Sequence, residues 1–256
     1  DFTSMTADFK LGSVSANVVS ATVHSGWDGT LGTGADIAVL RLDRTITGIE
    51  GFTLSNSNDV GKNILLAGYG VVGTGSTGGI DFDRDAPGSL PRDWRPHFGY
   101  NTIDITDYEL TEGVFGPGSG VNTYGETYVF DFDDGTAAHN ARERLKADDG
   151  AAWAGSSTGL GSSEALTAGG DSGGGDFFWD GSRWVLTGVH SYGWGLCGYL
   201  TDCDVLDGTN SSYGDLSGPP AVFSHKAWID RVTAVPAPET YAPMLAGLSL
   251  VAAVAR

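Results

Sequence analysis

At 256 residues the chain is long enough for one large domain or two small ones, and its 32 acidic against 14 basic side chains leave a formal net charge of −18. That acidity repels a phosphate backbone, argues against nucleic acid as a partner and suits a soluble exported protein. With 40 glycines, 18% charged residues and short β-branched or aromatic runs set between Gly, Asn and Asp, the sequence predicts an all-β fold.

In chain order, Asp1-Phe2-Thr3-Ser4 carries no initiator methionine, no basic stretch and no apolar signal core, so the sequence is expected to begin inside a longer protein. Asp36-Ile37-Ala38-Val39-Leu40-Arg41-Leu42 sets a carboxylate at the mouth of an apolar strand, where a buried acid can orient an imidazole. Gly61 to Gly70 reads as a strand ending in a glycine-flanked aromatic, Gly68-Tyr69-Gly70. From Val71 to about Leu160 no motif stands out, and glycine clusters at 73–79 and 116–120 predict long loops between strands. Two acidic runs, Asp81-Phe82-Asp83-Arg84-Asp85 and Asp131-Phe132-Asp133-Asp134, lack the spaced glycine and terminal glutamate of a calcium loop and read as solvated loops. A helix is predicted within Ala137 to Ala147.

Gly170-Asp171-Ser172-Gly173-Gly174 is the most informative stretch. Only glycine lets a backbone turn so tightly beneath an exposed hydroxyl, and Ser172 reads as a nucleophile. The same five residues fit the Gly-x-Ser-x-Gly elbow of α/β-hydrolases, but that elbow runs into a helix. Here Asp176 to Leu186 reads instead as two strands around an Asp180-Gly181 hairpin turn. Leu186-Thr187-Gly188-Val189-His190-Ser191-Tyr192-Gly193 follows. Cys197 and Cys203, the only cysteines, can form a local disulfide in an oxidising compartment; without nearby histidines they make a poor metal site. A last helix is predicted over Ser224 to Val232, with Ser224 as cap and Ala227, Trp228 and Ile229 as its apolar side.

The Asp36 strand, the Gly170–Gly174 motif and the Ser191–Gly193 segment, in this order, resemble the trypsin-like (chymotrypsin-fold) serine peptidases. Gly68-Tyr69-Gly70 is similar to the family's Gly-Trp-Gly landmark with tyrosine for tryptophan, and Pro219-Pro220-Ala221-Val222-Phe223-Ser224 to its Pro-Gly-Val-Tyr-Thr segment. The resemblance implies two six-stranded antiparallel β-barrels and a short C-terminal helix. Residues 1–56 would be a remnant of the first barrel, 57–233 the second barrel with its helix, and 234–256 a tail. It makes Ser172 the nucleophile, Asp36 the acid that orients the histidine, and the N–H groups of Gly170 and Ser172 the oxyanion hole. The histidine itself is expected upstream of these residues, so the fragment alone would be nearly inactive. Val23 to Asp28 resembles a surface loop of the family in which a histidine, here His24, is noncatalytic. In such enzymes the residue at Asp171 receives a new N-terminal amine after zymogen cleavage.

By register with the family, Leu166 is the pocket floor, with ordinary core as its alternative, and Gly193 and Ala221 are the walls; an apolar floor implies preference for apolar or aromatic side chains. Ser191, Tyr192 and Gly193 would offer an extended edge to a polypeptide substrate. A family cysteine near Ala168 is absent, which leaves a local Cys197–Cys203 bridge in the pocket wall as the expectation. No cofactor is implied.

Val235-Pro236-Ala237-Pro238-Glu239 and the uncharged stretch to Ala255 resemble the bacterial PEP-CTERM sorting signal, with Pro-Ala-Pro-Glu for Pro-Glu-Pro and only Arg256 behind the apolar part. Tyr241 to Ala255 is shorter than the roughly 20 residues that span a bilayer. The resemblance implies processing by exosortase-type machinery, transient membrane contact through the tail, and a place at the envelope or outside a Gram-negative bacterium. The expected function is therefore an exported serine endopeptidase; the alternative is a noncatalytic homologue that holds peptides in the extracellular or surface matrix.

Overall fold

A computed structural model describes residues 4–9, 13–80, 96–120, 123–149, 157–197 and 202–234. The acidic run Asp81–Asp85 and the tail from Val235 onward lie outside the described residues. In chain order the strands are β1 (Thr6–Phe9), β2 (Val14–Val23), β3 (Ala38–Leu42), β4 (Thr53–Leu54), β5 (Asn63–Gly68), β6 (Val72–Thr74) and β7 (Gly78–Ile80). They continue with β8 (His97–Thr102), β9 (Ile105–Thr106), β10 (Tyr128–Asp131), β11 (Gly175–Trp179), β12 (Trp184–Val189), β13 (Tyr192–Trp194) and β14 (Leu216–Gly218). The helices among the described residues are α1 (Asp107–Phe115), α2 (Ala141–Asp149) and α3 (Val222–Thr233). The protein is mostly sheet, as its composition predicts.

Strands β1-β2-β3 form one antiparallel sheet, and β13-β14-β10-β9 a second. The third has the order β4-β12-β11-β5-β8 and is antiparallel except where β4 runs parallel to β12. β6 and β7 make a separate hairpin, and no sheet closes into a barrel among the described residues. β10 is buried along its whole length because it is wedged between two cores. Its alternation sends Val129 into a cluster with Ile105, Leu110, Leu145, Leu196 and Leu216, while Tyr128 and Phe130 point the other way to Ile64, Leu66, Ile103, Phe178 and Val185. The Cys197–Cys203 disulfide is present and fully packed into the first cluster.

Several predicted elements differ in extent. The 73–79 glycines make the tight β6–β7 hairpin, whose Gly78 has φ +65°, in place of a long loop. The 116–120 stretch closes α1: the Glu112 carboxylate accepts the N–H groups of Gly118 and Gly120, each at 2.8 Å. α2 begins at Ala141, later than predicted, because the Asn140 side chain accepts Glu143 N–H at 2.8 Å and caps the helix there. α3 starts two residues before Ser224, so Ser224 lies in the first turn, donating to Ala221 O and accepting Glu126 N–H. Its inward face is Val222, His225 and Trp228, and Ala227 is exposed. The Asp180-Gly181 turn does join β11 to β12: Asp180 Oδ1 accepts the N–H groups of Ser182 and Arg183, and Gly181 takes φ +101°.

Candidate functional site

The serine loop runs from Ala168 to Gly174 and enters β11 directly. Its anchor is the buried carboxylate of Asp171. Oδ1 accepts Gly70 N–H at 2.7 Å and lies 2.9 Å from His97 Nε2; Oδ2 accepts Ala168 N–H at 2.9 Å. Two separate segments, at Gly70 and His97, thus meet the loop's own Ala168 on one side chain. Gly68 and Gly70 are the glycines this approach requires: a Cβ on either would run into the Asp171 carboxylate, at 2.7 Å for Gly70. The glycines flanking Tyr69 therefore cradle the serine loop.

Around that anchor the loop is locked. Asp171 N–H donates to Ala168 O, Gly174 N–H to Asp171 O, and Gly173 N–H to His190 O. Gly170 and Gly173 occupy left-handed conformations, φ +96° and +82°, which no L side chain adopts without strain. Among the described residues the N–H groups of Gly170 and Ser172 have no acceptor. Two free donors bracket Asp171 while every other backbone N–H from 171 to 174 is used, and Ser172 itself is exposed. This alternation can offer two N–H groups to a developing oxyanion beside the hydroxyl.

Asp36 reaches the same place from the segment leading into β3. The backbone dips into the core on both sides of it, with Ala35 0% and Ile37 7% exposed, and Asp36 Oδ2 accepts Ser191 Oγ–H at 2.6 Å. Ser191 follows His190, whose backbone N–H and C=O pair with Gly174 O and Gly173 N–H, each at 2.9 Å. One short segment, His190-Ser191, therefore ties the serine loop to Asp36, so the structure brings these two predicted residues into one neighbourhood. Tyr192 and Gly193 continue into β13, the edge strand of its sheet, which leaves one row of backbone groups turned away from β14. The Tyr192 ring lies over Gly218, and burial and then the charge of Asp107 push its phenol well above the ordinary range. The Tyr192 hydroxyl is thus buried and stays protonated.

A cavity of about 440 Å³ lies beneath the serine loop, lined in part by Leu166, Ala168, Asp171, His97, His190 and Tyr213. Leu166 faces it and also packs against the core cluster of Ile64 and Phe130. Ala221 is placed elsewhere: it is fully buried at the start of α3, bridged to Gly188, and the residue opposite Tyr192 is Gly218. The Cys197–Cys203 bridge sits in the core with Leu196 and Leu216, behind β13–β14.

All five histidines lie among the described residues, and each is engaged away from Ser172 and Asp36. His24 packs edge-on against Tyr124, His225 and Trp228, with burial and then Arg231 lowering its pKa. His139 meets Asp134 at 2.6 Å, His97 meets Asp171, and His190 Nε2 lies 2.6 Å from Asp176 Oδ1. The sequence does not foretell the His97 and His190 contacts. What signal it holds is positional: Asp176 and His190 are ionisable residues at inward positions next to apolar strands.

No protein-family model matches the chain, and no curated protein matches it.

Proposed function

We propose that this chain belongs to an exported serine endopeptidase of the trypsin-like kind, built on two β-barrels of which the first is partial here, with a C-terminal sorting tail. The observation that carries the reading is the pairing of an exposed Ser172 with two acceptor-free N–H groups, Gly170 and Ser172, on a loop tied through His190-Ser191 to the Asp36 carboxylate. Ser172 Oγ attacks the peptide carbonyl, its proton passes to an imidazole held by Asp36, and the two N–H groups receive the negative charge on the carbonyl oxygen. The imidazole returns the proton to the leaving amine, and water then opens the acyl-enzyme by the same route in reverse. Since none of the five histidines is hydrogen-bonded to Ser172 or Asp36, this reading takes the imidazole from a segment outside the 256 residues. The edge of β13 supports an extended polypeptide as substrate, and Leu166 supports preference for apolar side chains.

A second reading has a specific observation behind it: with no imidazole against Ser172 among the described residues, the same fold can bind peptides along β13 without cutting them. Digestion of an unfolded polypeptide by the full-length protein, with cleavage sites mapped by mass, separates the two. The peptidase reading expects cuts beside apolar residues and a loss of at least about 10⁴-fold in kcat/KM in Ser172→Ala. Peptide binding without cleavage, unchanged in Ser172→Ala, would establish the second.

A further inference from the structure

We infer that the buried Asp176–His190 pair is a positioning device for the serine loop, in which a protonated His190 holds the loop in its reactive shape; the inference rests on the peptidase reading above. Neither residue takes part in the chemistry just described. Both are nevertheless charged groups in a place where strands carry apolar side chains, with 1% and 3% side-chain exposure and 2.6 Å between His190 Nε2 and Asp176 Oδ1. A buried ionisable pair costs desolvation free energy that an apolar pair would not, so its presence asks for a role.

Position supplies that role. Asp176 is the second residue of β11, four residues after Ser172, and His190 immediately follows β12. The His190 backbone closes both hydrogen bonds to the far half of the serine loop, to Gly173 and Gly174, and the next residue holds Asp36. The imidazole presses on the same backbone: a Cβ at Gly174 would stand 2.7 Å from His190 Nδ1, and one at Gly188 would run into Asp176 Oδ2. Two glycines are thus spent on admitting this pair.

The ionisable groups that act on the imidazole are Asp176 on β11 and Asp171 in the serine loop. Asp171 is in turn held by His97. A protonated His190 is therefore attracted by two buried carboxylates, Asp176 in direct contact and Asp171 in the neighbouring loop. Loss of its proton removes the positive charge that attracts both carboxylates, and Asp171 is the anchor that sets Gly170 and Ser172. Burial alone would push the imidazole down, but Asp176 and then Asp171 hold its pKa above the ordinary histidine value. The loop should accordingly keep its shape below the His190 midpoint and lose it as pH rises through that midpoint.

The test combines nuclear magnetic resonance of the His190 imidazole and of the Gly173 and Gly174 amides with the rate at which a fluorophosphonate probe labels Ser172, both across pH, in the full-length wild type, Asp176→Asn and His190→Gln. We expect the two amides to titrate with the midpoint of His190, and the labelling rate to fall with that midpoint. Asp176→Asn should lower the midpoint by about one pH unit or more and carry the alkaline limb of labelling down with it. His190→Gln, which keeps a donor toward Asp176, should lose that limb. Amides that ignore the His190 titration, or a limb that stays in place while the Asp176→Asn midpoint moves, would overturn the inference. Absence of labelling at any pH in the wild type would instead overturn the peptidase reading, and the amide titration would still decide whether the pair controls the loop. Should Asp176→Asn not fold, the wild-type amide titration decides by itself.

Discussion

The sharpest consequences at the scale of single residues concern glycines. Gly170 sits at φ +96° with Gly70 Cα only 3.1 Å from where its Cβ would be, so Gly170→Ala must rotate the peptide that carries one oxyanion donor. On the peptidase reading kcat should fall about 10²-fold with little change in KM. A KM rise at unchanged kcat would assign Gly170 to substrate binding instead. Gly70→Ala is expected to be worse for folding than for chemistry, because its Cβ collides with the Asp171 carboxylate that ties the serine loop to Gly70 and His97. Urea denaturation should show a loss of about 2 kcal/mol or more, in the range for disrupting a buried polar network. The motif around Ser172 is legible in the sequence because glycine is costly elsewhere and its reason is local. The partners of Asp171 and Asp176 are not, since His97 and His190 reach them through the order of strands β8, β5, β11 and β12, which no local pattern encodes.

Among elements, β10 and its surroundings hold a concentration of buried acid. Burial, then the charge of Asp131, pushes Asp104 well above the carboxylate range, and burial raises Asp131 beside it. Asp133 is pushed up to about 9, first by burial and then by Asp131 and Glu164, and Glu164 to about 7, chiefly by burial. Each is protonated in the fold and ionised in the unfolded chain over the interval between the ordinary carboxylate pKa and the raised one. The unfolded chain then binds fewer protons, so stability falls as pH rises through that interval. His190, also raised, contributes in the same direction: its share is complete below the unfolded histidine pKa and is lost as pH climbs through the folded value. Melting temperature should therefore decline from about pH 5 toward pH 9, and Asp133→Asn should flatten the upper part of that decline. A melting temperature that rises over the same range would contradict the placement of these carboxyls. The run Asp131–Asp134, expected to be a solvated loop, starts on the last residue of β10 and stays packed beyond it, with Asp131 and Asp133 1% and 2% exposed. The strands from β6 to β10 are opaque in the sequence. They span two to six residues, too few for a period to emerge, and tertiary packing decides them. One local signal does stand there: Thr106 caps α1, accepting Glu109 N–H at 3.3 Å, with the Thr-x-x-Glu spacing of a helix start.

At the scale of the whole molecule, a net charge of −18 makes self-repulsion a general destabilising term. Because the Debye length shrinks from about 30 Å at 0.01 M salt to about 10 Å at 0.1 M, added sodium chloride should raise the melting temperature over this interval, and a flat response would mean that the charges are already compensated. The coarse class, mostly sheet, follows from glycine content and short β-branched runs, since these are properties of the entire chain. The arrangement of the four sheets among the described residues does not, because pairing between distant strands such as β4 and β12 leaves no trace in local sequence.

The central claim is that Ser172 is an activated nucleophile, and fluorophosphonate labelling of the folded full-length protein beside Ser172→Ala tests it most directly. A single adduct mapped to Ser172 and absent from the variant is the predicted result. A folded protein that takes no label, or a Ser172→Ala variant that labels as well as the wild type, would contradict it.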